Sequence, residues 1–481
     1  MSSHPEPFRT AHLPVGALQT SDIRNIALAG HAGAGKTLLM EALLLAGGAI
    51  QTAGSIDRGN TVSDTDSQEK ARAHSIDSCL AHLTHDGCHI NLIDTAGHAE
   101  FFGATLSALS AVETVAIVVN AINGIEHGTR QLMERARERG QARLLVVNKI
   151  DFDGADLGAL VDSLREAFGS ECLPVNLPAG HGKRVLDCFF HREGVTDFSS
   201  LAEAHQRIVD QVVEVNETTM GQYLEAGEAA LSPQQLHDAF EQCLREGHLV
   251  PICFVSARTG AGVHELLDLA ARLLPNPAEG NPPPFTRDDG QPVVVSADSA
   301  SHVIADVFKI STDPFMGKLG IFRVWQGTVR RDSQLFIDDG QKPFKVGRLF
   351  RIQGNAHIEI DMAVAGDIAA VAKVDDIHFD AVLHDSHDED RITLAPSPFP
   401  TPSISFAVET RARGQEQKLT NALARLREED PCFRVEHQKA PNGTVVSGLS
   451  ELHLRVLMER VRERHGVEVT LRPLDANPPR H

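Results

Sequence analysis

The chain has 481 residues, a formal net charge of −20, 42% hydrophobic residues, and a single Trp and a single Tyr. That length is too great for one core and predicts about three domains of ordinary soluble composition. The acidic balance excludes nonspecific coating of nucleic acid, and no apolar run has the length of a membrane span or the flanks of a leader.

In chain order, residues 1–20 read as a disordered lead-in. The apolar run Ile26-Ala27-Leu28-Ala29 predicts a strand. Gly30-His31-Ala32-Gly33-Ala34-Gly35-Lys36-Thr37 follows it and opens a helix that starts at Leu38 and runs to residue 46. This is G-x-x-x-x-G-K-[ST] in its strand–loop–helix setting. The glycines let backbone N–H groups converge on phosphate oxygens, Lys36 reaches the outer phosphates, and the Thr37 hydroxyl ligates Mg²⁺. Asp94-Thr95-Ala96-Gly97 ends a strand over 89–93. The Asp94 carboxylate can there hold a Mg²⁺-bound water, and the Gly97 N–H can sense a γ-phosphate. Asn148-Lys149-Ile150-Asp151 follows a strand over 143–147. The Asp151 carboxylate suits the N1–H and N2–H of guanine; adenine lacks those donors and leaves the pairing unmade. Ser256-Ala257, after a strand over 252–255, lets a backbone N–H approach guanine O6. Four such motifs in this order, each on a strand end, specify GTP.

These signals define a GTP-binding domain over residues 21–281, whose alternating β and α patterns predict a parallel sheet covered by helices. Asp151 and Ser256 are separated by 104 residues, more than a minimal domain of this kind needs. A partly helical insert over 173–245 takes up the excess, with helical spacing at Ile208, Val212, Val215, Met220 and Tyr223. A Pro-rich boundary (Pro275, Pro277, Pro282-Pro283-Pro284) leads to short alternating strands and frequent glycine over 282–395, a small β-barrel. A second Pro-rich boundary leads into strand–helix–strand–strand–helix–strand over 402–474, the ferredoxin-like order, and then a tail over 475–481.

Residues 403–481 carry 13 Lys/Arg against 11 Asp/Glu, while the remainder holds 32 against 54. The near-neutral end of an acidic body can touch RNA locally. Seven scattered cysteines, never in C-x-x-C and mostly in apolar surroundings, fit buried thiols of a reducing compartment. His384-Asp385-Ser386-His387-Asp388-Glu389-Asp390 lacks zinc-site spacing and reads as a solvated loop. A helix over 450–465 places Leu452, Val456, Leu457 and Val461 on one stripe. Arg455, Glu459, Arg460, Arg462 and Glu463 form its charged outer face.

Together with Asp94-Thr95-Ala96-Gly97-His98, Ala365-Gly366-Asp367, Glu429-Asp430-Pro431 and Ser447-Gly448-Leu449-Ser450-Glu451-Leu452-His453-Leu454, these motifs make the chain resemble a translational GTPase of the elongation factor G family over residues 21–474. The resemblance implies an α/β P-loop GTPase domain with a G′-type insert, then a β-barrel domain and a ferredoxin-like α+β domain. It implies GTP hydrolysed to GDP and phosphate, Mg²⁺ held by Thr37, Ser75 and Asp94, and His98 beside Gly97 aligning the attacking water. The implied partner is the factor-binding site of the large ribosomal subunit, for a cytoplasmic monomer without DNA or membrane. That family carries two further domains beyond the position of His481. Three domains match release factor 3, which residues 50–54 also resemble. A release-factor-3-like enzyme, a guanine-nucleotide module of little turnover and a fragment therefore stay open beside the elongation-factor reading.

The first switch of the family usually reads Arg-Gly-Ile-Thr-Ile; here it is Arg72-Ala73-His74-Ser75-Ile76. Ser75 keeps the hydroxyl, while His74 replaces an apolar gate residue and is expected to be exposed. Ala32 stands at the partner position of that gate, Gly33 replaces an Asp that helps hold a monovalent cation in many relatives, and Ala96 replaces the usual Pro and its fixed φ.

Overall fold

The computed structural model describes residues 18–189, 191–387, 391–395, 398–438 and 443–474. Most of the expected lead-in, the tail, and Asp388, Glu389 and Asp390 of the acidic loop lie outside the described residues. Of the lead-in, Thr20 opens a 3₁₀ turn and its hydroxyl donates to the Ala365 carbonyl at 2.8 Å.

A seven-stranded sheet forms the first domain from β1 (Ile23–Gly30), β2 (Cys79–His85), β3 (Cys88–Asp94), β4 (Thr114–Asn120), β5 (Ala142–Asn148), β6 (Cys172–Pro174) and, later in the chain, Val250–Phe254. The order is β2-β3-β1-β4-β5, then Val250–Phe254, then β6, with β2 antiparallel to β3 and the other pairs parallel. β1, β4 and β5 are buried at every position, as central parallel strands covered on both faces must be. Alternate residues of β1 face opposite cores. Ile26 and Leu28 meet α1 (Lys36–Ala46), while Ala27 and Ala29 meet the side carrying Leu106, Leu132 and Leu164. The Pro174-to-Val250 connection holds an antiparallel hairpin (Asn176–Ala179 with Arg184–Asp187) and three helices, Leu201–Val213, Glu217–Ala226 and Pro233–Glu246.

The second domain wraps eight strands around Val307, Phe322, Val324, Leu349, Val371 and Leu383 in a barrel-like body. The third has strand order 2-3-1-4 in one sheet, with two helices packed on it through Leu423, Leu426, Leu454 and Leu457. This is the ferredoxin-like arrangement. The α/β, barrel-like and ferredoxin-like sequence of domains is thus the fold expected.

Two contacts position the site. Across the first and second domains, the buried Arg323 donates to Glu113 and to the Ala111 carbonyl, both at 2.6 Å, and Asn25 donates to the Gly366 carbonyl at 2.9 Å. Across the first and third, Val456 joins Ile76, Ala96 and Phe101 in one small core. The charged side of the Glu451–His465 helix is not simply solvated, a correction to the expected outer face. Arg460 is buried within 3.7 Å of Asp66, Glu459 pairs with Arg72 at 2.7 Å, and Glu463 accepts from Ser67 at 2.9 Å. The acidic His loop needs a similar correction, since His384 is buried and its ring reaches the Ser386 and Asp338 carbonyls.

Candidate nucleotide and metal site

β1 delivers the chain into the loop, and the loop turns back through Gly35 (φ 93°) to start α1 with no side-chain cap. The first-turn N–H groups of α1 are therefore left for an anion. A Cβ on Gly35 would stand 2.5 Å from the Asn148 amide nitrogen, so glycine is required by contact as well as by φ. The loop is tied to the base side of the site as well. Asn148 donates to the Ala34 carbonyl at 3.0 Å and Lys149 to that of Gly33 at 2.8 Å.

Lys36 is buried and points back into its own loop, donating to the carbonyls of Gly30 at 3.0 Å and His31 at 3.2 Å. Burial lowers its pKa, against the pull of Asp94, Asp64 and Glu126. Gly97 approaches so closely that a Cβ there would collide with the Lys36 ammonium and the Ala32 backbone. Leu38 follows in the first turn of α1, half-buried, and His31, Ala32 and Gly33 line the open side of the loop.

Thr37 is the hub. Its hydroxyl donates to Asp94 Oδ2 at 2.7 Å and lies 3.2 Å from the Ser75 hydroxyl, which donates to Asp64 Oδ1 at 2.7 Å. One chain of hydrogen bonds thus links the loop to both switches. Asp64 is a member that the sequence did not single out. Asp94 Oδ1 and Asp64 Oδ2 are buried without a partner, and burial pushes the Asp94 carboxyl up to about 6 and raises that of Asp64. Two carboxylates and two hydroxyls with unmatched oxygen capacity are the donor set of a hard divalent cation. Among the described residues no three His, Cys, Asp or Glu converge on a metal-sized point, and this site has two carboxylates completed by two hydroxyls.

His98 follows the second switch, half-buried, with its ring centroid 4.3 Å from that of His74. Burial, and then the neighbouring His74, lower its pKa. His74 is half-buried rather than exposed, which corrects the expectation. Its ring also lies 6.1 Å from Phe101, within aromatic packing range.

On the base side, Asn148 Oδ1 accepts from the N–H groups of Lys149 at 2.8 Å and Ala257 at 3.0 Å. Asp151 accepts from the Ser256 hydroxyl at 2.6 Å and from Arg258 Nε at 2.7 Å. Burial works against it, but those two bonds hold its carboxyl below the usual range. The structure therefore ties Asn148 and Lys149 to the phosphate loop, with Asp151, Ser256 and Ala257 beside them, and gathers Ser75, Asp94 and Gly97 around Lys36 and Thr37.

A parallel sheet with a glycine-bent phosphate loop at one strand end and a paired Asn and Asp at another defines a guanine-nucleotide-binding P-loop domain. The elongation factor Tu GTP-binding domain family matches residues 21–276, elongation factor G domain 2 matches 303–383, and elongation factor G domain III matches 399–473. The chain belongs to the translational GTPases of the elongation factor G family. It is 29% identical over 477 residues to the elongation factor G-like proteins of two Mycobacterium tuberculosis strains, CDC 1551 and H37Rv, covering 93% of this chain. It spans 66%, about two thirds, of the length of those relatives. A crystal structure of a Thermus thermophilus protein superposes with a TM-score of 0.81 at 29% identity, over 94% of this chain and 67% of that one.

Proposed function

We propose that the protein hydrolyses Mg²⁺-bound GTP to GDP and phosphate on the ribosome during elongation or recycling, as a cytoplasmic monomer. The observation that carries this reading is the chain Asp94–Thr37–Ser75–Asp64, which joins the phosphate loop to both switches and leaves two buried carboxylate oxygens unmatched. Thr37, Ser75, Asp94 and Asp64 would hold Mg²⁺, which offsets the charge that builds on phosphate oxygens. Lys36 exchanges its loop carbonyls for the outer phosphates, and the Gly97 N–H meets the terminal one. His98, with its pKa held down, presents a neutral ring that orients water. Loss of the terminal phosphate then frees residues 55–80 and 94–105, and the barrel shifts against the first domain.

The test is GTP turnover with and without 70S ribosomes, beside His98→Ala. Stimulation of the wild type that is lost in the variant, with GTP affinity within about threefold, is the expected result, since an aligning residue acts mainly on kcat. Unchanged turnover in the variant removes His98 from its role. The His74 ring against His98 at 4.3 Å favours a second reading, a guanine-nucleotide module of low turnover. Tight binding without ribosomal stimulation would select that reading.

A further inference from the structure

Arg258 stands where an incoming base has to bind. Its Nε donates to Asp151 Oδ2 at 2.7 Å, and its Nη2 contacts the same oxygen. A carboxylate oxygen has two lone pairs, so both directions at Oδ2 are taken, while Oδ1 already holds the Ser256 hydroxyl at 2.6 Å. The guanidinium also lies over the Phe152 ring, 4.8 Å from its centroid, and this second contact keeps it at the mouth of the site. The Asp151 side chain is 7% exposed and that of Arg258 65%, so the arginine covers the carboxylate from the solvent side.

We infer that Arg258 is a self-occupying plug of the base site: it fills Asp151 in the free protein, and guanine must displace it before pairing. This rests on the reading of Asp151 as the guanine partner. No covalent step is involved. The N1–H and N2–H of the base replace the Nε–H and Nη2–H of the arginine on one carboxylate, and the guanidinium returns to water. A plug lowers the fraction of protein ready to bind, so its effect falls on association. A side chain that instead packs on the bound base would act on dissociation.

The experiment is stopped-flow binding of ribose-labelled fluorescent GDP to the full chain, comparing wild type, Arg258→Ala and Phe152→Ala. The ion pair is part-exposed, so Arg258→Ala should associate roughly two- to fivefold faster, with an unchanged dissociation rate. Phe152→Ala should move the association rate in the same direction by less. The gap between wild type and Arg258→Ala should narrow as salt is raised. Competition by inorganic tripolyphosphate, which carries no base, should be equal in all three. Equal association rates, or faster dissociation from Arg258→Ala, would overturn the plug. Asp151→Asn separates the two layers of the argument. A shift from guanine toward xanthosine diphosphate keeps the guanine reading, even where the plug fails. An unchanged guanine preference overturns both.

Discussion

Asp64 and Asp94 approach the Thr37 and Ser75 hydroxyls from opposite switches, and the two of them give the site its electrostatic character. Each has one buried oxygen with no partner, and burial raises both pKa values, so either carboxylate is costly to keep charged without a cation beside it. Asp64→Asn keeps the shape and removes the charge. It should leave nucleotide binding in place and weaken Mg²⁺ affinity on the order of tenfold, read as the Mg²⁺ concentration that halves the GDP release rate. An unchanged midpoint would confine Asp64 to shaping the first switch. The residues of the phosphate loop and the base site were legible in the sequence because each ends a strand inside a motif of fixed spacing. Asp64 was not. It sits in Ser63-Asp64-Thr65-Asp66, a run that reads as any solvated turn, and it reaches Ser75 only because the first switch folds back on itself. Arg258 escaped for a related reason. No local pattern says that it turns toward Asp151 across more than 100 residues of chain.

At the scale of elements, the short helix Ser67–Arg72 is the piece that couples the first switch to the third domain. Asp66 caps it, accepting from Gln68 N at 2.8 Å, and the buried Glu69 accepts from the N–H groups of Ile76 at 3.0 Å and Asp77 at 3.1 Å. The helix ends on Ala73 in the left-handed region (φ 55°), where the family pattern has glycine, and such a residue carries strain of about 1–2 kcal/mol. Its outer side meets the Glu451–His465 helix through Arg72–Glu459 and through Asp66 with Arg460 and Arg464. Hydrophobic spacing showed which stripe of that helix is packed. It could not show that part of the charged side is also covered, because ionic partners from a distant segment leave no period. Glu459→Arg should turn the 2.7 Å pair with Arg72 into a repulsion. The pair is part-exposed and contributes little, so thermolysin cutting in the first switch should rise only about two- to fivefold. The charge swap, with Arg72→Glu added, should bring it back toward the wild-type rate. Equal cutting in all three proteins would mean that the Arg72–Glu459 pair adds nothing to the hold that Val456 with Ile76 and Phe101, and Asp66 with Arg460 and Arg464, have on the two elements.

Across the whole molecule, the first two domains meet through polar groups, most of them buried as fully as core residues. Besides Arg323 with Glu113, Asn25 donates across the boundary to the Gly366 carbonyl at 2.9 Å and Asn91 to Asp367 at 3.4 Å. Within the two sides Arg351 donates to Asp367 at 2.6 Å, Asn91 to Asn25 at 2.9 Å, and His89 lies 3.0 Å from Asn91 Oδ1. Such an interface resists shear, because a displaced charge would stay buried and unpaired. Its pH response follows from the histidines. Burial and the Arg351 charge lower His82 to about 4 and His89 to about 3, from an ordinary 6.5. Above pH 6.5 both rings are neutral whether the chain is folded or not, and they impose no penalty. As pH falls from 6.5 toward the folded values, the unfolded chain takes up protons that the folded one refuses, so stability drains in that window. Buried carboxyls titrate in the opposite sense over part of the same range. Glu69 and Asp306, both raised to about 7 by burial, cost stability as pH rises. The raw profile therefore mixes the two signs, and a difference between variants isolates one. His89→Gln keeps a polar group beside Asn91 and cannot be protonated. It should be the less stable protein at pH 7.5. The gap should close by about 1.4 kcal/mol for each unit below pH 6.5, read as urea midpoints of the two proteins at matched pH. A gap that stays constant down to pH 4.5 would mean that His89 takes up its proton as readily in the folded protein as in the unfolded one, with Asp367, 4.0 Å away, offsetting the cost of burial.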